Sequence, residues 1–388
     1  MKIAIATFAG LPNPPVKGGA VETLIDDLCK VNEWKNQLSI DVYSVYDYDA
    51  DKAAKDYKNT EFIFYQQYRN KKLSKKNIVY KILKRSIPDK TMLGIVELLN
   101  YRQYDYVIIT SINYEMEYVF QKIKARVIWY LHGDPRSSLK AESIKRITNH
   151  CRAVITVSDF INSRIRSVDP NCEVITVRNC TDMLAVSSQN EFKIKKMIRE
   201  KNNVELNNKL FVYIGRITPI KGIYELVQAF VLANIPNTKL LIVGMPSNDD
   251  EKKYFEKIKT ISNSNVKYAG YIPHNILNEF YCAADCIVAP SICQEAALLI
   301  ALEAAVCHRP IITTNIGGIP EYVDSNAIMV EYNDKFVENL VQAMKKVYNN
   351  KFNVELNERE TNQVEKYYKD FVDVLQRLYK GEELICQD

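Results

Sequence analysis

Thirteen short apolar runs, most of them separated by stretches with helical spacing, constrain this chain more than any other feature. Seven fall at 3–6, 40–44, 62–65, 106–110, 127–131, 154–157 and 174–177, and six more at 211–214, 240–243, 266–269, 286–289, 311–314 and 327–330. Runs this short and this apolar suit strands buried on both faces, as in parallel sheets. Helical patterns at 21–31, 224–233 and 250–261 suit the crossovers that parallel strands require. Strand–helix alternation twice over predicts an α/β chain of two doubly wound sheets. Between the two series, 182–208 is polar and strand-poor, which reads as a linker holding a short helix. In 361–382, Val364, Tyr367, Phe371, Val372, Leu375 and Leu378 recur at helical spacing and predict one long amphipathic helix. The expected domains are 1–185 and 186–360, with 361–382 as a final helix.

A length of 388 residues suits two α/β domains better than one core. Hydrophobic residues make up 47% and charged residues 26%, a globular composition. No run approaches the ~18 apolar residues of a membrane-spanning helix, and the N-terminus reads as a first strand and turn, not a signal peptide. Nine scattered cysteines therefore read as reduced thiols of a cytoplasmic protein. Neither they nor the four histidines show metal-ligand spacing, so no metal is expected. The net charge of +5 is unevenly placed. Residues 69–90 hold nine Lys and Arg against one acid, Asp89, interleaved with Leu73, Ile78, Val79, Ile82 and Leu83. That pattern suits an amphipathic helix on an anionic membrane, or else a solvated helix face. No recognised nucleic-acid motif accompanies it, so no nucleic-acid partner is expected.

The stretch 284–323, ADCIVAPSICQEAALLIALEAAVCHRPIITTNIGGIPEYV, carries the densest chemistry. Glu295 follows one apolar run, in a turn before a helix that carries Glu303. Gly317-Gly318 follow the next run, with Pro320-Glu321 expected to open another helix. The carboxyl ends of strands are where open α/β sheets bind ligands, and helix N-termini offer free N–H groups to anions. If all eight steps between Glu295 and Glu303 were helical, they would lie about 12 Å apart along the axis and about 80° around it. They would then hold two ends of one long ligand, not one metal; the plainer alternative is that Glu303 is a solvated or paired side chain. Other strand ends repeat the placement. Lys17-Gly18-Gly19-Ala20-Val21-Glu22 follows the first run, His132-Gly133-Asp134 the fifth, and Gly215-Arg216 the eighth, with Lys221-Gly222 at the next helix.

KGGAVE at 17–22, GRITPIKG at 215–222, E-x7-E at 295–303 and NIGGIPE at 315–321, in this order, resemble the family 4 retaining glycosyltransferases of the GT-B fold, in particular the bacterial surface-polysaccharide enzymes. The resemblance covers nearly the whole chain. It implies two Rossmann-like domains facing a central cleft, with acceptor bound by the first domain, a nucleotide-diphosphate sugar of UDP or GDP type by the second, and the last helix crossing back to the first. By position, Arg216 and Lys221 would hold the diphosphate, Glu303 the ribose, and Glu295 the donor sugar, with His132 near the reacting centre. Gly18, Gly19, Gly215, Leu298 and Leu299 would line the donor side. The family's favoured course is front-side attack with the diphosphate taking the acceptor proton, and no cofactor. Two positions depart from the pattern: Leu298 stands where the family usually has glycine, and Cys180 follows Asn179 where it usually has Asn-Gly. The expectation is a cytoplasmic transferase at the inner membrane face, working on a glycan or lipid-linked acceptor. A catalytically silent GT-B scaffold and a sugar-nucleotide epimerase are the rival readings.

Overall fold

The computed structural model describes residues 1–8, 10–66, 90–349 and 363–381. The chain forms two compact units, one of Met1–Cys180 with the C-terminal segment from Asn362, the other of Thr181–Thr361. The basic run 69–90 lies outside the described residues except for Lys90, which opens the helix Lys90–Arg102.

In the first unit, seven strands form one parallel sheet: β1 (Lys2–Ala6), β2 (Ser39–Val45), β3 (Thr60–Tyr65), β4 (Tyr106–Ile109), β5 (Arg126–Leu131), β6 (Cys151–Thr156) and β7 (Val174–Thr176). Their order is β3-β2-β1-β4-β5-β6-β7. The second unit has six: β8 (Lys209–Ile214), β9 (Thr238–Val243), β10 (Val266–Gly270), β11 (Cys286–Ala289), β12 (Ile311–Thr314) and β13 (Ala327–Val330), ordered β10-β9-β8-β11-β12-β13. Every pairing is parallel. In each sheet the strand order reverses once, between β1 and β4 and between β8 and β11, and such switch points are where doubly wound sheets bind ligands.

The apolar runs became strands because both faces of each sheet are covered. Phe211, Tyr213, Leu240, Ile242, Cys286 and Val288 pack into one core layer. Their neighbours in sequence, Leu210, Val212, Ile214, Leu241, Val243, Ile287 and Ala289, pack into the other. This is the two-residue period of a pleated strand, with apolar side chains at both phases.

The polar stretch before β8 holds the expected helix, Ser188–Lys201, which at 14 residues is longer than a short linker helix. Its anchor is Arg199, only 1% exposed. The guanidinium donates to the carbonyls of Ala283 (3.0 Å) and Asn208 (2.7 Å) and to Asp285 Oδ2 (2.7 Å). A polar composition understates this helix because its interior anchor is itself a charge. One expectation needs correction: Pro320-Glu321 opens no helix, since Ile319–Glu321 is a single 3-10 turn, and β13 follows.

The helix Gln363–Lys380 buries Tyr367, Tyr368, Phe371, Val372, Val374, Leu375 and Leu378, and it packs against the helix Ala20–Lys35. Asn32, fully buried, ties the junction together. Its Nδ2 donates to the Leu38 carbonyl (2.9 Å), and its Oδ1 accepts from Leu38 N–H (3.1 Å) and the Tyr368 hydroxyl (2.7 Å). Asn32→Ala would leave two buried backbone groups, the Leu38 N–H and carbonyl, without partners, each costing about 1–3 kcal/mol. The expected result is a loss of at least about 2 kcal/mol in urea unfolding of the whole chain. A change below about 0.5 kcal/mol would mean that water replaces the amide.

Candidate functional site

In the second unit the loops after β8, β11 and β12 are locked to one another. After β8, Gly215 and Arg216 lead to buried Ile217 and a 3-10 turn, Pro219–Lys221, then to Gly222 and the helix Ile223–Ala233. Tyr213, itself buried, donates its hydroxyl to the Arg216 carbonyl at 2.8 Å and supports the loop from below. Ile292 N–H, after β11, donates to the Ile220 carbonyl (2.9 Å), and Gly318 N–H, after β12, to the Glu295 carbonyl (2.7 Å). Gly317 has φ 61°, and a Cβ there would sit 2.5 Å from the Glu295 carbonyl oxygen and 2.8 Å from its nitrogen. Only glycine lets these two backbones approach so closely. The glycine pair thus serves as a packing surface for the Glu295 loop, not as the start of a helix.

The expected cation and the expected carboxylate meet here. Lys221 Nζ lies 2.5 Å from Glu295 Oε1, and Ser291 Oγ donates to the same oxygen at 2.7 Å. Both charged side chains are largely out of solvent, 22% and 16% exposed. Ser291 is held in turn, its carbonyl accepting from Thr314 Oγ1 at 2.7 Å. Cys293 lies beside the pair; burial first, and then the Glu295 charge, push its thiol up to about 11, so it stays neutral. Arg216 is exposed, and its guanidinium makes no hydrogen bond or ion pair among the described residues. The site therefore has one cation already neutralised and one uncommitted.

Glu303 is the fifth residue of the helix Leu299–Val306 and is buried. Burial raises its pKa above the usual carboxylate range, and a hydrogen bond from Tyr281 to Oε2 opposes that rise. Leu298 requires a correction. It caps the helix with its side chain only 3% exposed, packed in the core layer of Ile214, Val243 and Ala289. The side chain fills the core, not a sugar pocket. Leu299 packs half-buried against the same layer.

In the first unit, Gly18 and Gly19 have φ 72° and 113°, and Gly19 caps the helix Ala20–Lys35. The expected open approach over Gly19 is taken by the chain itself: Glu22 Oε2 lies 2.1 Å from where a Cβ would stand. Glu22 is buried, which raises its pKa, and its carboxylate accepts a hydrogen bond from its own backbone N–H. Lys17 is ion-paired with Asp47. His132 follows β5, its ring 4.2 Å from that of Tyr130, whose hydroxyl meets that of Tyr367 at 3.0 Å. The residue is half-buried overall, yet both ring nitrogens are shut from solvent and have no hydrogen-bond partner. Burial depresses its pKa to about 3, so the imidazole is neutral. Among the described residues no group of three His, Cys, Asp or Glu could hold a metal ion, and no helix is long and apolar enough to cross a membrane.

Sequence reasoning missed Ser291, Tyr281 and Tyr213, which hold Glu295, Glu303 and the Arg216 loop. Ser291 had a signal, since it is the polar residue ending a buried strand; the two tyrosines read as core.

Leu298→Ala should destabilise the protein by about 2–5 kcal/mol, as truncation of a packed core leucine does, measured by denaturant unfolding. A cost below about 1 kcal/mol would return the side chain to the surface. His132 sets a pH dependence with a definite sign. Its folded pKa lies below its ordinary 6.5, so the unfolded chain takes the proton more readily. Its share of stability is full above pH 6.5 and declines as pH falls from there towards 3, by up to about 1.4 kcal/mol per unit. His132→Phe should flatten that decline when urea unfolding is compared at pH 7 and pH 5. Parallel slopes for the variant and the unchanged protein would contradict it.

Residues 194–369, just under half of the chain, match the model of the family described as glycosyl transferases group 1. The protein YtcC of Bacillus subtilis (strain 168) is 24% identical over 340 residues, covering 83% of this chain and 77% of its own. A lipopolysaccharide 1,2-N-acetylglucosaminetransferase of Salmonella typhimurium is 29% identical over 210 residues, 51% of each chain. Among solved structures, Anabaena HepE in complex with UDP and glucose superposes with a TM-score of 0.73 at 15% identity, over 97% of this chain and 99% of that one. The fold is GT-B, and with the family match it supports a group 1 glycosyltransferase.

Proposed function

We propose that this chain is a retaining glycosyltransferase that moves a sugar from a nucleotide-diphosphate donor to a glycan or lipid-linked acceptor of a surface polysaccharide. The observation that carries the reading is the constellation at the β8 and β11 ends: uncommitted Arg216, with Lys221, Glu295 and Ser291 in mutual contact. The Salmonella relative acts on lipopolysaccharide and HepE was solved with UDP, which supports the donor and product classes.

Breaking a glycosyl–phosphate bond builds negative charge on the leaving diphosphate. Fixed cations at the strand ends stabilise that charge more than they stabilise the bound donor. Arg216 is available from the start. Lys221 becomes available when the diphosphate displaces Glu295 from it, and Glu295 is then free to meet the sugar. Attack from the leaving-group side, with the diphosphate taking the acceptor proton, retains the anomeric configuration. The double displacement of many glycosidases needs a carboxylate nucleophile beside a second carboxyl group about 5 Å away. In this reading Glu295 is the one carboxylate at the sugar, with Glu303 at the ribose. The basic run 69–90 supports an anionic membrane surface as the place where a lipid-linked acceptor is met. Binding to phosphatidylserine vesicles that weakens as salt rises would bear this out.

Arg216→Ala should lower kcat by roughly 10²–10³, read as transfer or as slow release of free sugar from UDP- or GDP-sugars. Activity within twofold of the unchanged protein would sink the diphosphate assignment. Glu295→Gln gives the sharper test. It removes the anion that competes for Lys221, so affinity for bare UDP or GDP should rise by up to roughly tenfold, about 1.4 kcal/mol, while transfer falls. Weaker binding of the diphosphate by calorimetry would show that Glu295 belongs to the nucleotide instead.

A further inference from the structure

We propose that Tyr281 is a positioning residue that orients the Glu303 carboxylate for a pair of vicinal hydroxyls, the ribose diol of the donor. This rests on the reading of Glu303 as the ribose contact, and it adds a residue that reading does not contain.

Glu303 and Tyr281 come from different helices, Leu299–Val306 and Leu277–Ala283. Tyr281 has no solvent exposure, and its hydroxyl donates to Glu303 Oε2. No donor among the described residues reaches Oε1. One carboxylate oxygen is therefore fixed and the other left for a ligand. A carboxylate without that anchor can rotate about its last torsion, which has a broad profile. With it, the plane of the carboxylate is set before any ligand arrives. Charge-assisted O–H···O⁻ bonds are short and strong, and so suited to holding a plane.

The hydrogen bond also sets the charge. Burial favours the protonated acid, which would accept fewer hydroxyl donors; donation from Tyr281 favours the carboxylate. Burial, and then the Glu303 charge, hold the phenol well above its usual range, so it remains a donor at working pH. The other ionisable groups facing the pair are His274, whose charge favours the carboxylate, Asp182, which opposes it, and Cys307, whose thiol is pushed up to about 12. His274 and Asp182 are themselves paired at 2.8 Å, so their charges largely offset at Glu303 and leave Tyr281 as the decisive donor.

The experiment compares UDP with 2′,3′-dideoxyuridine diphosphate, and GDP with its dideoxy counterpart, on the full chain. Three proteins are used: unchanged, Tyr281→Phe and Glu303→Ala. In the unchanged protein one of the two ribose forms should bind at least tenfold tighter than its dideoxy analogue. Tyr281→Phe should lower that ratio roughly tenfold, the scale of a hydrogen bond to a charged group, with dideoxy affinity nearly constant. The ratio should also decline at a higher pH than in the unchanged protein, because the carboxyl has lost its donor. Glu303→Ala should abolish the ratio. If Glu303→Ala keeps the ratio, the ribose reading itself fails. If Glu303→Ala abolishes it and Tyr281→Phe does not change it, the ribose reading stands and the positioning role is overturned. Equal loss for both ligands in Tyr281→Phe also overturns it, since that is what packing alone would give. Should Tyr281→Phe fold poorly, 3-fluorotyrosine at position 281 keeps the packing and strengthens the donor; the ratio should then rise, and an unchanged ratio counts against the proposal.

Discussion

The ion pair of Lys221 with Glu295 joins two loops that approach from different strands, and much of the second unit's strand-end surface depends on it. Lys221 is fixed from the β8 side by a 3-10 turn and by the Tyr213 hydroxyl beneath the loop. Glu295 is fixed from the β11 side by Ser291 and by the Gly318 N–H on its carbonyl. A charged pair this far from solvent survives only if its remaining hydrogen-bonding capacity is met. At the Glu295 carboxylate, Ser291 and the Cys293 thiol meet part of it. The same requirement explains Gly317: the donor to the Glu295 carbonyl comes from a backbone that must pass within van der Waals range of it.

The strands were legible because a parallel sheet covered on both faces leaves no polar phase. Runs such as 286–289 and 311–314 stand out against helical surroundings, and both became wholly buried strands. The helix Ser188–Lys201 was legible only as a short helix within a linker, because its anchor, Arg199, satisfies carbonyls and Asp285 from inside the unit and reads as surface charge in sequence. The turn after Gly317-Gly318 misled for a related reason. Glycines, proline and glutamate in that order mark a helix start by local rules, yet the next three residues make one 3-10 turn before β13.

The site was legible as a set of strand-end residues and illegible as a set of contacts. Lys221 and Glu295 are 74 residues apart, and nothing local to either predicts the other as its partner. Leu298 shows the reverse error. Its place in a motif suggested a pocket wall, but the residue preceding a helix buried on this face points into the core with Ile214 and Val243. A motif fixes where the backbone goes, whereas the side chain follows the packing.

Two carboxylates stand where anions of a ligand are expected. Glu295 sits on Lys221, and Glu22 covers Gly19. On the proposed reading, a ligand phosphate that brings two or more charges displaces them. Such internal counter-ions weaken ground-state binding, because the ligand must first release them. That release costs bound donor and transition state alike, and the gain during reaction comes from the charge that grows on the departing diphosphate and draws the freed cation more strongly. On that reading the Glu295 counter-ion sets how tightly a donor is held, and the freed Lys221 with Arg216 supplies the differential stabilisation.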